Sequence, residues 1–173
     1  DRLLSRGLGD VYKRQYYDRA EMTRALNELQ AAGFNAIYPN VWSRGTTFHR
    51  SQFAPVEPAL IKAGIELDPI CTLAKEARQR GMTIIPWFEY GLMEPADAAV
   101  VQNNPEWVLA KANGSRSMTM HGKQMSWLNP AHPQVRERFI GLVLEVMQRC
   151  RVNGLQLDCL LYTSPSPRDR SLS

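Results

Sequence analysis

Three helix-then-strand units in succession predict an α/β chain built on a parallel sheet, and two further observations select a barrel over an open sheet. No strand run is followed by a glycine-rich phosphate loop: WSRG after the first and EYG after the second lack the G-x-G-x-x-G and Walker spacings. The strand exits instead carry aromatic and polar side chains: Tyr38, Asn40 and Trp42 in one, Trp87, Glu89 and Tyr90 in another, and Asp158 in the last. In a (β/α)8 barrel, functional groups gather at the C-terminal strand ends. Such a barrel needs about 250 residues, so the expected fold is a partial barrel, an αβαβαβ segment of about half of one.

The elements follow in order. Asp18 with Glu21 makes a capping box, and Met22, Ala25, Leu26, Leu29 and Ala32 follow at helical spacing up to Gly33. FNAIYPNVW, residues 34–42, is an apolar, β-branched and aromatic run of the length and type of a buried parallel strand. In the second unit, Asp68 caps a helix that has Pro69 at its first position, Ile70, Leu73, Ala74 and Ala77 on its apolar face, and Gly81 at its end. MTIIPWFEY, residues 82–90, is its strand. The third unit opens at His132 and Pro133, places Val135, Phe139, Leu142, Val143 and Val146 on one face, breaks at Asn153 and Gly154, and closes with a strand over residues 155–158.

The two ends read differently from the middle. DNA encoding residues 5–15 has a reverse complement that, in its second frame, encodes residues 159–168. Unrelated protein termini do not share a duplex in this way, so residues 1–15 and 159–173 are expected to be translated sequencing adapter, and residues 16–158 the native partial domain. The third base of codon 158 falls in the adapter, so the native residue there is Asp or Glu. The end segments carry four basic and two acidic side chains, and two basic and one acidic, so they supply three of the four net positive charges. The middle is near neutral, which removes a nucleic-acid partner from consideration. No segment has the roughly 20 apolar residues of a membrane span. Cys71 and Cys150 sit in helical patterns without metal-ligand spacing, so buried small apolar residues are expected rather than a disulfide, and no metal or cofactor is suggested.

Long connections follow the first two strands, over residues 43–67 and 91–129. Within the second, residues 95–103 suit a short helix and residues 107–120 a hairpin turning at Asn113 and Gly114. Long loops on a barrel's active face usually carry function. Tyr and Trp platforms beside Asp, Glu, Asn and Arg suit a sugar, which presents apolar C–H faces as well as hydroxyls.

The stretches GFNAIYPNVWSRGTTFHRSQFAPV, LDPICTLAKEARQRGMTIIPWFEYGL, NPEWVLAKANG, WLNPAHPQVRERF and VNGLQLD together resemble the bacterial glycosyl hydrolase-like family 10 domain. The resemblance implies a TIM barrel acting on the glycosidic bonds of a carbohydrate substrate, in proteins often secreted or attached to the cell envelope. It also implies that a strand before the first helix, and the strands after Asp158, are missing. Glycoside hydrolysis uses two carboxyl groups, and the catalytic candidates here are Asp158 and Glu89. Asp158, ending GLQLD at a strand exit, would be the nucleophile or general base. Glu89 would bind a substrate hydroxyl or position the acid, or alternatively pair with Arg44. Tyr38 and Asn40 are candidate substrate contacts. Arg44 and His49 would touch substrate or orient a carboxylate, or else be solvated or structural groups. Trp42, Trp87, Tyr90 and Trp127 would be sugar platforms, or else packing residues. The expected activity is hydrolysis of a poly- or oligosaccharide; a carbohydrate-binding barrel without catalysis and an inactive truncated reading frame are the alternatives.

Overall fold

The computed structural model of the chain describes residues 18–62, 68–120 and 122–158. Both expected adapter segments, with Cys159, lie outside the described residues. Helix α1 (Arg19–Ala31) starts where Asp18 Oδ1 accepts from the backbone N–H of Ala20 at 2.7 Å, and α3 (Pro69–Gln79) where Asp68 Oδ1 accepts from Ile70 and Cys71 at 3.1 and 3.3 Å. Each cap satisfies N–H groups that the first helical turn leaves without a partner. Between them lies the one-turn helix α2 (Pro58–Lys62). Helices α4 (Ala99–Asn103) and α5 (Pro133–Cys150) follow, and α5 ends with Arg151 in the left-handed region, before the expected break at Asn153 and Gly154.

Each long strand run is split by a proline. The first becomes β1 (Ala36–Ile37) and β2 (Asn40–Ser43) around Pro39; the second becomes β4 (Thr83–Ile84) and β5 (Trp87–Phe88) around Pro86. Proline has no N–H to donate, but its carbonyl still accepts. Trp87 N–H donates to Pro39 O at 2.8 Å and Gln156 N–H to Pro86 O at 2.9 Å, so the parallel ladder bridges both breaks. β1 pairs β4, and β2 pairs β5, which pairs β9 (Gln156–Leu157), all in parallel.

The second connection builds its own antiparallel sheet, in the order β6 (Met93–Pro95), β8 (Lys123–Trp127), β7 (Met118–Met120). The hairpin therefore differs from expectation. Its arms are β7 and β8 with Gly122 between them, whereas Asn113 lies in a separate turn closed by Gly114 N–H to Lys111 O at 2.9 Å. The first connection contains β3 (Thr46–Thr47), folded back on β2. Further on it runs along α5: Gln52 N–H donates to Glu145 Oε1 at 2.6 Å, and the Phe53 ring lies over Gly141, where a Cβ would come within 2.4 Å of it.

The helices cover one face of the parallel sheet. Ile37, Val41, Ile84 and Phe88 share a core with Met22 and Leu26 of α1, Ile70, Leu73 and Ala77 of α3, and Leu142 and Val146 of α5. Large apolar side chains buried in this way each contribute about 1.5–3 kcal/mol. Alternate residues of the strands form the other face: Tyr38 is 46 % exposed, while Asn40, Trp87 and Glu89 are half-buried.

The cysteines correct the sequence reading. Cys71 of α3 and Cys150 of α5 form a disulfide, with Cα atoms 4.3 Å apart across a separation of 79 residues. Nothing in their sequence spacing brings them together; the packing of α3 against α5 does. Asp68 lies within 4.8 Å of both sulfurs, a grouping that resembles a metal site, but the two sulfurs are bonded to each other. Closing a loop of this length is worth roughly 4–5 kcal/mol in the chain-entropy account. Urea denaturation of Cys71→Ser should therefore lose at least about 2 kcal/mol relative to the oxidised chain, and a reducing agent should bring the oxidised chain to the same midpoint. Coincident midpoints with and without reductant would show that the link does not stabilise the fold.

Candidate active site

The site lies at the C-terminal edge of β2, β5 and β9. The register passes from Asn40 opposite Trp87 to Trp42 opposite Phe88, two residues against one, so β2 carries a β-bulge at Val41. Under strict alternation Asn40 and Ser43 would face opposite sides. With the bulge they face the same side, and both bind Glu89. Its Oε2 accepts from Asn40 Nδ2 at 2.7 Å and from Ser43 Oγ at 2.8 Å. Asn40 Oδ1 also accepts from the Trp42 N–H at 3.1 Å, which fixes the amide at both ends. Glu89 thus takes two neutral donors on one oxygen, and the alternative ion pair with Arg44 does not form among the described residues.

Asp158 lies beside it. Leu157 is level with Phe88, and the Asp158 N–H donates to Phe88 O at 3.1 Å. The next residues on each strand, Asp158 and Glu89, are therefore level on neighbouring parallel strands, whose spacing is about 4.8 Å. Trp87 is level with both Asn40 and Gln156 on the same open face, one step below the carboxylates. Tyr38 lies further down that face.

Arg44 and Gly45 form the two-residue turn of the β2–β3 hairpin, with φ of 51° and 80°. Positive φ at both positions is the geometry of a type I′ turn. A non-glycine residue held there costs on the order of 1 kcal/mol, and the turn places the Arg44 guanidinium 6.0 Å from the centre of the Tyr90 ring. The hydrogen bond with Tyr90 raises Arg44 above its ordinary value, partial burial opposes this, and the charges of Glu89 and Glu57 add to it. Tyr90 itself is buried, with Arg44 over its ring.

Three expected site residues lie elsewhere. Trp42 is fully buried: the bulge turns it into the helix-side core, its indole N–H donates to Gly91 O at 2.9 Å, and Arg138 lies 5.5 Å from its ring centre. It has no face to offer a sugar. His49 is also fully buried, with Nε2 3.6 Å from Glu145 Oε2, so it packs the first connection against α5. Trp127 is level with Met93 in the antiparallel sheet.

Beneath the Arg44 turn is a residue that the sequence reading passed over. Glu94 of β6 is 1 % exposed, and its Oε1 accepts from Arg138 Nη1 at 2.7 Å. A Cβ at Gly45 would lie 2.7 Å from Glu94 Oε2 and 2.9 Å from Pro95 Cδ, so only glycine fits over this carboxylate. Burial pushes the Glu94 carboxyl up from its ordinary value, and Arg138 pulls it back. One signal was available. Arg138 occupies the apolar stripe of α5 between Val135 and Leu142, where a charge needs a buried partner.

Residues 6–171 match the family described as Glycosyl hydrolase-like 10. The chain belongs to this family. It is 26 % identical over 167 residues to the "Glycosyl hydrolase DigH" of Escherichia coli (strain K12), a match covering 85 % of this chain and 36 % of that protein. The chain thus spans about a third of the length of this relative. Among solved structures it is similar to TtGalA, an alpha-galactosidase from Thermus thermophilus in complex with stachyose (TM-score 0.59, 20 % identity, 80 % of this chain and 28 % of that one). It is also similar to the maltogenic alpha-amylase AmyB from Thermotoga neapolitana (TM-score 0.59, 15 % identity, 84 % of this chain and 35 % of that one). These likenesses identify the fold as part of a TIM barrel.

Arg138→Met strands Glu94 in the core and should cost roughly 3 kcal/mol or more in urea denaturation, whereas Arg138→Met with Glu94→Leu should recover much of the loss; equal losses in both would show that the pair is not coupled. For His49, burial lowers the folded-state value below the unfolded one, aided by Arg149 and opposed by Asp68 and Glu145. The unfolded state therefore binds the proton first, so stability is present above the ordinary value of about 6.5 and is lost as pH falls below it. Thermal melts between pH 7.5 and 5 should show this decline, shallower in His49→Gln; identical slopes would assign it to other groups.

Proposed function

We propose that the protein containing this segment hydrolyses O-glycosyl bonds of a poly- or oligosaccharide, with Asp158 as nucleophile or general base and Glu89 binding a substrate hydroxyl. The observation that carries the reading is the strand register, which continues from Phe88 opposite Leu157 to set Glu89 and Asp158 level on adjacent strands at the edge where barrel enzymes act. Asn40 and Ser43 both donate to Glu89 Oε2, which leaves Oε1 to accept from a sugar hydroxyl. The two donors also keep the carboxylate aimed, so binding a hydroxyl orders no new rotamer. Trp87 and Tyr38 on the same open face supply the apolar contact that a pyranose C–H face requires. Arg44, beside Glu89, offers a cation to ring oxygens or to charge that develops on the leaving group. In the hydrolytic step the Asp158 carboxylate either attacks the anomeric carbon or takes a proton from the attacking water, and the aglycone oxygen leaves with a proton from the second carboxyl group that this chemistry requires.

Carbohydrate recognition without turnover is the second reading, and the aromatic open face favours it. Reducing-sugar release from a panel of neutral and acidic polysaccharides separates the two. Asp158→Asn should lower kcat/KM by roughly 10³-fold or more, and Glu89→Gln should act chiefly on KM, by about tenfold. Retention of substrate by a wild-type protein that releases no product would overturn hydrolysis in favour of recognition; activity unchanged in Asp158→Asn would remove Asp158 from the mechanism.

A further inference from the structure

The antiparallel sheet of the second connection carries a cavity away from the strand edge. It has a volume of about 530 Å³ and lies between the 109–117 segment and the β7–β8 hairpin. Met118, Met120, Met125 and Trp127 form its apolar wall, and Lys111, Ser115, Arg116 and Ser117 its polar side. Trp127 is half-buried, and its Nε1 donates to Met118 Sδ at 3.3 Å. The indole edge is thereby occupied by a neighbour within the wall, while the half-buried ring lines the cavity. Thioethers beside an aromatic ring make a surface that adapts to ligands of irregular shape.

The charge on this cavity has one sign. Lys111 and Arg116 line it, and no carboxylate among the described residues does. Arg116 donates to the backbone carbonyls of Pro105 and Val108, which hold the guanidinium in place without neutralising it. Among the described residues neither cation forms an ion pair. An aromatic and thioether wall facing two uncompensated cations and two serine hydroxyls is complementary to a ring that has an apolar face, hydroxyls and a carboxylate. β6 begins four residues after Glu89 and pairs Met93 with Trp127, so one strand links the carboxylate edge to this wall.

We propose that the cavity bounded by Trp127, the three methionines, Lys111 and Arg116 is a second saccharide subsite, selective for a sugar unit that bears a carboxylate. The proposal rests on the carbohydrate reading of the strand-edge site and narrows it to acidic glycans. The test is equilibrium titration of the whole chain, followed by tryptophan fluorescence and calorimetry, with trigalacturonate, with maltotriose as the neutral control and with sodium hexanoate as an acyl probe. Trigalacturonate should bind at least tenfold tighter than maltotriose, and tenfold weaker at 0.5 M than at 0.05 M salt. Lys111→Gln changes an exposed side chain that forms no ion pair among the described residues, so it should remove most of this preference with an unchanged melting temperature. Trp127→Leu should weaken both sugars. Equal binding of the two trisaccharides, binding of neither, or a Lys111→Gln protein that keeps the preference would each overturn the proposal, as would tighter binding of hexanoate, which would make the cavity an acyl site. Because affinity is read without turnover, an Asp158→Asn variant that fails to alter hydrolysis sinks the catalytic reading alone, and loss of the acidic preference sinks this one alone.

Discussion

The parallel register of β2, β5 and β9 is the constraint on which the rest depends. Strands offset by one residue would send every side chain to the opposite face, and here the register brings Glu89 and Asp158 level. The bulge at Val41 is a local exception with two effects. It moves Ser43 to the open face beside Asn40, where both hold Glu89, and it moves Trp42 to the covered face, where the indole packs beneath Arg138. One extra residue in one strand thus completes both the polar site and the core under it.

The sheet divides its work between faces. The covered face meets α1, α3 and α5 through aliphatic and aromatic side chains, while the open face carries amide, carboxylate and aromatic groups. In a complete barrel that second face is the interior. Above it, the Glu94–Arg138 pair ties the second connection to α5 and lies under the hairpin turn that carries Arg44. A buried ion pair adds little net stability compared with an apolar contact. What it does here is fix the height of Gly45, and through it the position of Arg44 above Tyr90.

The helices were legible because their signals are local: Asp18 and Asp68 at the starts, and the apolar spacing from Met22 and from Val135. The strands were legible as apolar runs, and Glu89, Asp158, Asn40 and Trp87 as exits at their ends. Three things were hidden because they depend on contacts far apart in the chain. Trp42 looked like a sugar platform under strict alternation, and only the bulge turns it inward. Asn113 and Gly114 carry the strongest short-range hairpin signal in the loop, yet the strand pairing forms elsewhere: Met118 meets Met125 across Gly122, and Trp127 meets Met93 of β6. Cys71 and Cys150 meet only because two helices pack side by side.

The disulfide closes a covalent ring from residue 71 to residue 150, and the whole of the second connection lies inside it. The exposed turn at residues 111–116 is the kind of segment that proteases cut first. A single cut there would open the chain without separating it: the piece bearing Glu89 and Glu94 would stay bonded to the piece bearing Arg138 and Asp158. The molecule can therefore pass from one polypeptide to two while both of its candidate catalytic carboxylates remain on a single covalent framework, a property suited to surroundings where peptide bonds are at risk and disulfides persist.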